Sequence, residues 1–377
     1  MLVKSVIISN FRNIESANLI TDKTVNVFYG KNGGGKTSVL EALFYLGRAK
    51  SFRTSKRKTL VNNDSERFAV SAGLVQHGNE HRLGIGLELA GESLIKLDGE
   101  VVSRLSEASS LFPTQVITPE SFDVFFSSPK ARRSFIDFGL FHVEHEYQAK
   151  WSEYARVHKQ TNALLRKPNV NKTELLYWYK CLIDSAEIIE SFRKSFFDKY
   201  FSKAIEKLVN ELPDSETAIL IRNVELKYKP KTFSKSEENF EQLIYDQIEK
   251  DLRYKQVGFG PNRADIVFVK DGDDVSNQLS RGQAKMLFYL LEIAMVKIIR
   301  DVTKKNMLLL VDDLPSEVDE FTRSTMLQML LHSEAQIFVT GIENKIAMEF
   351  KNYTESVNVF HVEQGTVTPK SMEQLCP

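Results

Sequence analysis

The chain has 377 residues, 42% of them apolar and 27% charged, enough to bury a core in about two large lobes and too apolar to be disordered as a whole. Fifty Lys and Arg offset fifty Asp and Glu, so the formal charge is zero and any contact with nucleic acid has to come from local basic patches. Cys181 and Cys376 give no disulfide framework and suit a reducing compartment, and no apolar run nears the ~18 residues of a spanning helix, so a soluble cytoplasmic protein with no membrane contact is the expectation.

From the N-terminus, residues 2–8 (LVKSVII) and 25–29 (VNVFY) read as β-branched strands. The second runs into GKNGGGKTS, and SVLEALFYLGR follows with apolar positions at helical spacing, so the order is strand, loop, helix. Residues 30–37 satisfy the pattern G-x-x-x-x-G-K-[ST]. Its glycines let backbone N–H groups face phosphate oxygens, its lysine reaches the β and γ phosphates, and its hydroxyl ligates Mg²⁺. The nucleotide-binding set is therefore Gly30, Lys31, Asn32, Gly33, Gly34, Gly35, Lys36, Thr37 and Ser38. RAKSFRTSKRK at 48–58 follows, with Arg48, Lys50, Arg53, Lys56, Arg57 and Lys58 and no acid. It reads either as a solvated charged loop or as a contact for a nucleic-acid backbone, with nothing that reads bases. Residues 69–75 and 83–89 suggest further strands of a small sheet.

Between about 130 and 255 the texture changes to long aromatic and charged helical segments, 145–166 and 172–209, broken by KPNVNK; 218–228 (AILIRNVELKY) is strand-like within them. The aromatics at 175–180 and 191–201 fit an arm core or a partner-facing surface better than base stacking. His142 and His145 have no further Cys or His nearby to complete a zinc site. Strand character returns at 264–269, and 280–300 is a helix. Ser280 can cap it, Gly282 permits close approach, and Gln283 follows; capping and phosphate binding both fit this stretch. MLLLVDD at 307–313 is a buried strand ending in acids. Asp312 is the candidate Mg²⁺ holder and Asp313 the residue that orients or deprotonates an attacking water. A helix at 317–332 and strands at 336–340 and 356–361 complete the chain. The long separation of Lys36 from Asp312 requires a large insertion into an α/β nucleotide fold. The expected division is 1–128 with 256–377 as one head and 129–255 as an inserted, mostly helical arm.

Several ordered segments carry a resemblance: FRNI (11–14), GKNGGGKTSVLEAL (30–43), SFR (51–53), ITPESFDVFFSSPKARRSFID (117–137), LSRGQAK (279–285), LLLVDDLPSEVD (308–319) and QIFVTG (336–341). Together they resemble the ABC-type ATPase heads of the SMC class and, in detail, the RecF family of bacterial DNA replication and repair proteins. The resemblance implies an α/β ABC-type ATPase head (a P-loop NTPase) with a largely helical inserted arm. It also implies an ATP-dependent homodimer in which Ser280, Gly282 and Gln283 of one copy meet the ATP and Mg²⁺ held by Lys36, Thr37 and Asp312 of the other. Asp319 would lie at the seam, Thr340 near the γ-phosphate, and Gln115 is a candidate sensor of metal or water. Asp313 stands where many ABC ATPases carry Glu, which implies slow hydrolysis. The implied partners are gapped or junction-containing DNA and RecR, with RecO and RecA in the pathway. Arg12, Lys130, Arg132 and Arg133 are weaker DNA candidates, the last two equally suited to pairing with nearby acids. GFGPNRADIVF departs from the family's GPHRDD at Asn262 and Ala264, and Pro315 is unusual beside the acids. An SMC-like structural protein needs a much longer arm, and a nuclease subunit needs a further metal cluster.

Overall fold

A computed structural model describes residues 1–76, 78–89, 91, 93–102, 111–233, 239–274, 278–314 and 318–375; Pro315 and Cys376 lie outside them. The chain forms two compact units, Met1–Phe122 with Lys285–Pro377, and Asp123–Ala284.

Among the described residues, the first unit holds two six-stranded sheets. One is antiparallel, built from β1 (Leu2–Phe11), β2 (Ile14–Ile20), β4 (Arg67–Gln76), β5 (Asn79–Glu88), β6 (Ser93–Leu97) and β7 (Glu100–Val101) in the order β2-β1-β4-β5-β6-β7. The other uses β3 (Val25–Tyr29), β8 (Thr114–Ile117), β12 (Leu308–Val311), β13 (Gln336–Gly341), β14 (Val357–Glu363) and β15 (Thr366–Lys370) in the order β15-β14-β3-β13-β12-β8, parallel from β14 to β8. Its inner strands are buried on both faces, so LLLV is an unbroken apolar run and VNVFY is interrupted only by the buried Asn26, whose amide donates to the Lys23 carbonyl at 3.1 Å. Helix α1 (Lys36–Arg48) packs on both sheets, and its Val39, Leu40, Leu43 and Leu46 join a core with Phe11, Phe28, Phe68 and Phe338. Gly47 is required there: a Cβ would lie 2.7 Å from the Thr114 hydroxyl and 2.9 Å from the Phe112 carbonyl oxygen.

The second unit contains α3 (Pro129–Val143), α4 (Tyr147–Leu165), α5 (Lys172–Phe196), α6 (Ser202–Asn210), α7 (Glu216–Arg222) and α8 (Phe240–Tyr254). Helix α2 (Pro119–Ser127) leads into it from the first unit. A three-stranded sheet, β9 (Glu225–Lys229), β10 (Asp265–Lys270) and β11 (Asp273–Asp274), belongs to it as well. Two expectations change here. Residues 218–222 are helical, not extended, because Ser215 caps α7 by accepting from the Ala218 amide at 3.1 Å. Residues 256–284 pack with the second unit because β10 pairs with β9 and the Arg132 guanidinium grips Asp265 with two 2.8 Å bonds. Arg133 donates to the Ala264 carbonyl at 2.7 Å, so both arginines are engaged in structure. At the hub of this unit the buried Arg193 donates twice to Asp137, each at 2.8 Å, and once to the Pro261 carbonyl at 2.6 Å. Helix α9 (Arg281–Thr303) begins in the second unit and continues in the first. Among the described residues, no helix is long and apolar enough to cross a membrane.

Candidate nucleotide site and basic turn

The glycine-rich loop leaves β3 and delivers Lys36 and Thr37 into the first turn of α1. Gly30 has φ +152°, and a Cβ there would lie 2.1 Å from the Val362 carbonyl oxygen, so this loop can lie against β14 only with glycine. The Lys36 ammonium folds over the loop, donating to the Gly30 carbonyl at 2.6 Å and the Lys31 carbonyl at 3.1 Å. Burial pulls its pKa down, against the fields of Asp312 and Asp313. On one side of the turn, the Thr37 and Thr340 hydroxyls donate to the same Asp312 oxygen at 3.0 and 2.7 Å. Thr340 in turn accepts from the Asp313 amide at 2.8 Å. Burial raises the Asp312 pKa, while the two hydroxyls and the Arg53 charge oppose it. Asp313 is exposed and sits in the left-handed region at φ 53°, a conformation an aspartate holds at some cost. On the other side, Ser38 donates to Asn13 at 2.9 Å, and Asn13 donates to the Gly34 carbonyl at 3.2 Å.

Asn13, Lys36, Thr37, Ser38, Asp312, Asp313 and Thr340 line one cleft of about 740 Å³ with Arg12, Arg53, Glu120 and the turn at 59–64, within the ~300–1,000 Å³ typical of small-molecule sites. The donor set suits a polyphosphate with a hard cation: backbone amides at a helix N-terminus, one ammonium, and a hydroxyl–carboxylate pair of oxygen ligands.

Gln115 does not line this cleft. It lies on β8 and donates to Glu292 of α9 at 2.7 Å, so the assignment as a sensor of metal or water loses its geometry. Arg48 turns inward as well, donating to the Thr114 carbonyl at 3.0 and 3.3 Å. Burial pushes its pKa down to about 10, with Glu292 opposing, and burial pushes Glu292 up to about 8. Arg48 therefore leaves the DNA-contact set. Arg53 faces the phosphate cleft, while Lys50, Lys56, Arg57 and Lys58 are exposed. Arg12 is bound twice to Glu41, at 2.9 and 2.7 Å, which the sequence reading missed.

The signature stretch lies in the second unit. The Ser280 amide donates to Gln283 Oε1 at 2.9 Å and the Gln283 amide to the Ser280 hydroxyl at 3.3 Å, a reciprocal capping box at the start of α9. A Cβ on Gly282 would meet nothing within 4 Å. Asp319 caps α10 (Glu320–His332), accepting from the Thr322 amide at 2.9 Å and the Thr322 hydroxyl at 2.7 Å, and these bonds lower its pKa.

Residues 2–368 match the model of the RecF/RecN/SMC N terminal domain. A DNA replication and repair protein RecF of Pseudoalteromonas translucida is 37% identical over 95% of this chain and 96% of its own length. One of Shewanella loihica is 38% identical over 96% and 97%. The fold superimposes on a solved recombination mediator protein, RecF-ATPrS in the RecFOR pathway, with TM-score 0.81, 24% identity and 98% coverage of both chains. It also resembles the Smc head domain of Pyrococcus furiosus, with TM-score 0.56 and 15% identity over 99% of this chain and 97% of that one. On the family model and the full-length relatives together, the chain belongs to the RecF/RecN/SMC family and, within it, to the RecF proteins.

Proposed function

We propose that this chain is an ATP-dependent DNA-binding repair protein that dimerises on ATP, acts at single-strand gaps and junctions, and helps RecR and RecO load RecA. Slow hydrolysis serves as the switch that releases the dimer. The observation that carries the reading is the meeting of Thr37, Thr340 and Asp312 beside Lys36, joining segments 275 residues apart in sequence.

Thr37 and Asp312 are the residues that hold Mg²⁺, which supplies neutralisation of the phosphate charge when bound. Lys36 exchanges the Gly30 and Lys31 carbonyls for phosphate oxygens, and the loop amides take the rest. Asp313, fixed through its amide on Thr340, orients the attacking water and takes up its proton. Ser280 and Gly282 of the partner copy close the site over the γ-phosphate. The open space before Gly282 supports this, since no described residue would meet a Cβ there within 4 Å. Asp319 lies at the seam, where its capped side chain presents a fixed charge.

DNA contact is assigned to the exposed Lys50, Lys56, Arg57 and Lys58. The experiment is binding to gapped duplex with ATP present, titrated with salt. Changing Lys56, Arg57 and Lys58 together to alanine should weaken binding and flatten the slope of log K against log salt by about 2–3. An unchanged slope places the DNA surface elsewhere.

A further inference from the structure

Glu41 has no part in the chemistry above, yet it sits directly behind the cleft. It lies on α1, its side chain is 0% exposed, and it is approached by three residues. Arg12 gives it two short bonds, at 2.9 and 2.7 Å; the Ser51 hydroxyl gives a third; Arg53 Nη1 stands 3.7 Å away. The two arginines are held very differently. Arg12 is 18% exposed and also donates to the Thr59 carbonyl at 2.8 Å, so it is fixed. Arg53 is 49% exposed, its contact with Glu41 is longer than a hydrogen bond, and its guanidinium lines the phosphate cleft. Its positive field reaches Asp312. Arg53 thus stands between two acceptors, a buried carboxylate behind it and the cleft in front.

We propose that Glu41 is a latch for Arg53, a positioning residue that keeps the guanidinium beside the phosphate loop and releases it to the phosphates of a bound nucleotide. The inference rests on the reading of the cleft as an ATP site. A long ion pair whose guanidinium is half exposed is a weak restraint. A guanidinium on phosphate makes short, charge-assisted and often bidentate bonds, so the exchange is favourable once a polyphosphate is in place. Glu41 is not left bare afterwards, because Arg12 and Ser51 still satisfy it. The carboxylate therefore opposes nucleotide binding slightly while ensuring that Arg53 is within reach.

The test is the ATP affinity of the full chain and of Glu41→Gln, Arg53→Ala and the double variant. Glu41→Gln keeps the shape and one acceptor but drops the charge, and should tighten ATP binding about two- to fivefold, the scale of a long, solvent-screened ion pair. Arg53→Ala should weaken it about tenfold. In the Arg53→Ala background, Glu41→Gln should change nothing further. Weaker binding in Glu41→Gln, or the same change with and without Arg53, makes Glu41 a structural acceptor only and overturns the proposal. Should Glu41→Gln fail to fold, Arg53→Ala still tests the premise: unchanged ATP affinity shows that no guanidinium passes to the phosphates and overturns the proposal, while a loss of about tenfold at an unchanged melting temperature is the result the latch requires. ATP binding by the unaltered chain that is lost in Lys36→Ala is the control. Its failure would overturn the ATP reading itself, and is distinguishable from any effect confined to Glu41.

Discussion

Lys36→Ala should lower the affinity for ATP by about a hundredfold or more while leaving the melting temperature nearly unchanged. Among the described residues Lys36 is the one lysine that lines the cleft, and its ammonium is held by two backbone carbonyls of its own loop. Phosphate oxygens accept from it more strongly than those carbonyls do. Two charge-assisted hydrogen bonds at about 1.5 kcal/mol each come to about 3 kcal/mol, and every 1.4 kcal/mol is roughly a factor of ten. The fold loses little, since α1 is held by Val39, Leu40, Leu43 and Leu46 in the core rather than by its first side chain. Calorimetric titration with ATP, alongside a melting curve, checks both halves. A variant that binds ATP normally would show that the loop does not hold phosphate.

Ser280→Arg should produce the complementary defect, with nucleotide affinity retained within about twofold and pairing on ATP abolished. Ser280 is exposed, and its hydroxyl accepts from the Gln283 amide in the capping box, so loss of that side chain costs about 1 kcal/mol of local helix stability. Thr37, Asp312 and Thr340 remain as they are in the first unit. On the proposed composite site, the bulkier side chain at 280 takes up space that the partner copy's phosphate would have to enter. Equal loss of nucleotide affinity in Ser280→Arg and Lys36→Ala would contradict this division of roles.

The legible parts of the site were the contiguous ones. GKNGGGKT encodes its turn and its chemistry within eight residues, and LLLV followed by two aspartates marks a strand end with ligands. That Thr340 donates to the same Asp312 oxygen as Thr37 depends on β3 and β12 flanking β13, which no local pattern states. The charge run at 48–58 looked uniform, but Arg48 belongs to the last turn of α1, whose phase aims it at Thr114, while Lys56 to Lys58 stand in solvent. Gln115 failed for a related reason: its partner Glu292 is 177 residues away, and nothing near either residue announces the bond. Glu41 did leave a signal, a charged residue between Leu40 and Ala42 in an otherwise buried stretch of helix, the mark of a paired interior carboxylate. Residues 218–222 misled because apolar β-branched composition outweighed Ser215, whose side chain decides that segment locally.

Pairing on ATP is what completes the proposed site. Solution mass should be measured for the full chain with no nucleotide, with ADP, and with ATP under non-hydrolysing conditions, each with and without gapped duplex. The expected result is a monomer without nucleotide and with ADP, a dimer with ATP, and a stronger shift when DNA is present. A chain that binds ATP yet remains monomeric in every condition would contradict the composite site and the roles given to Ser280, Gly282 and Asp319.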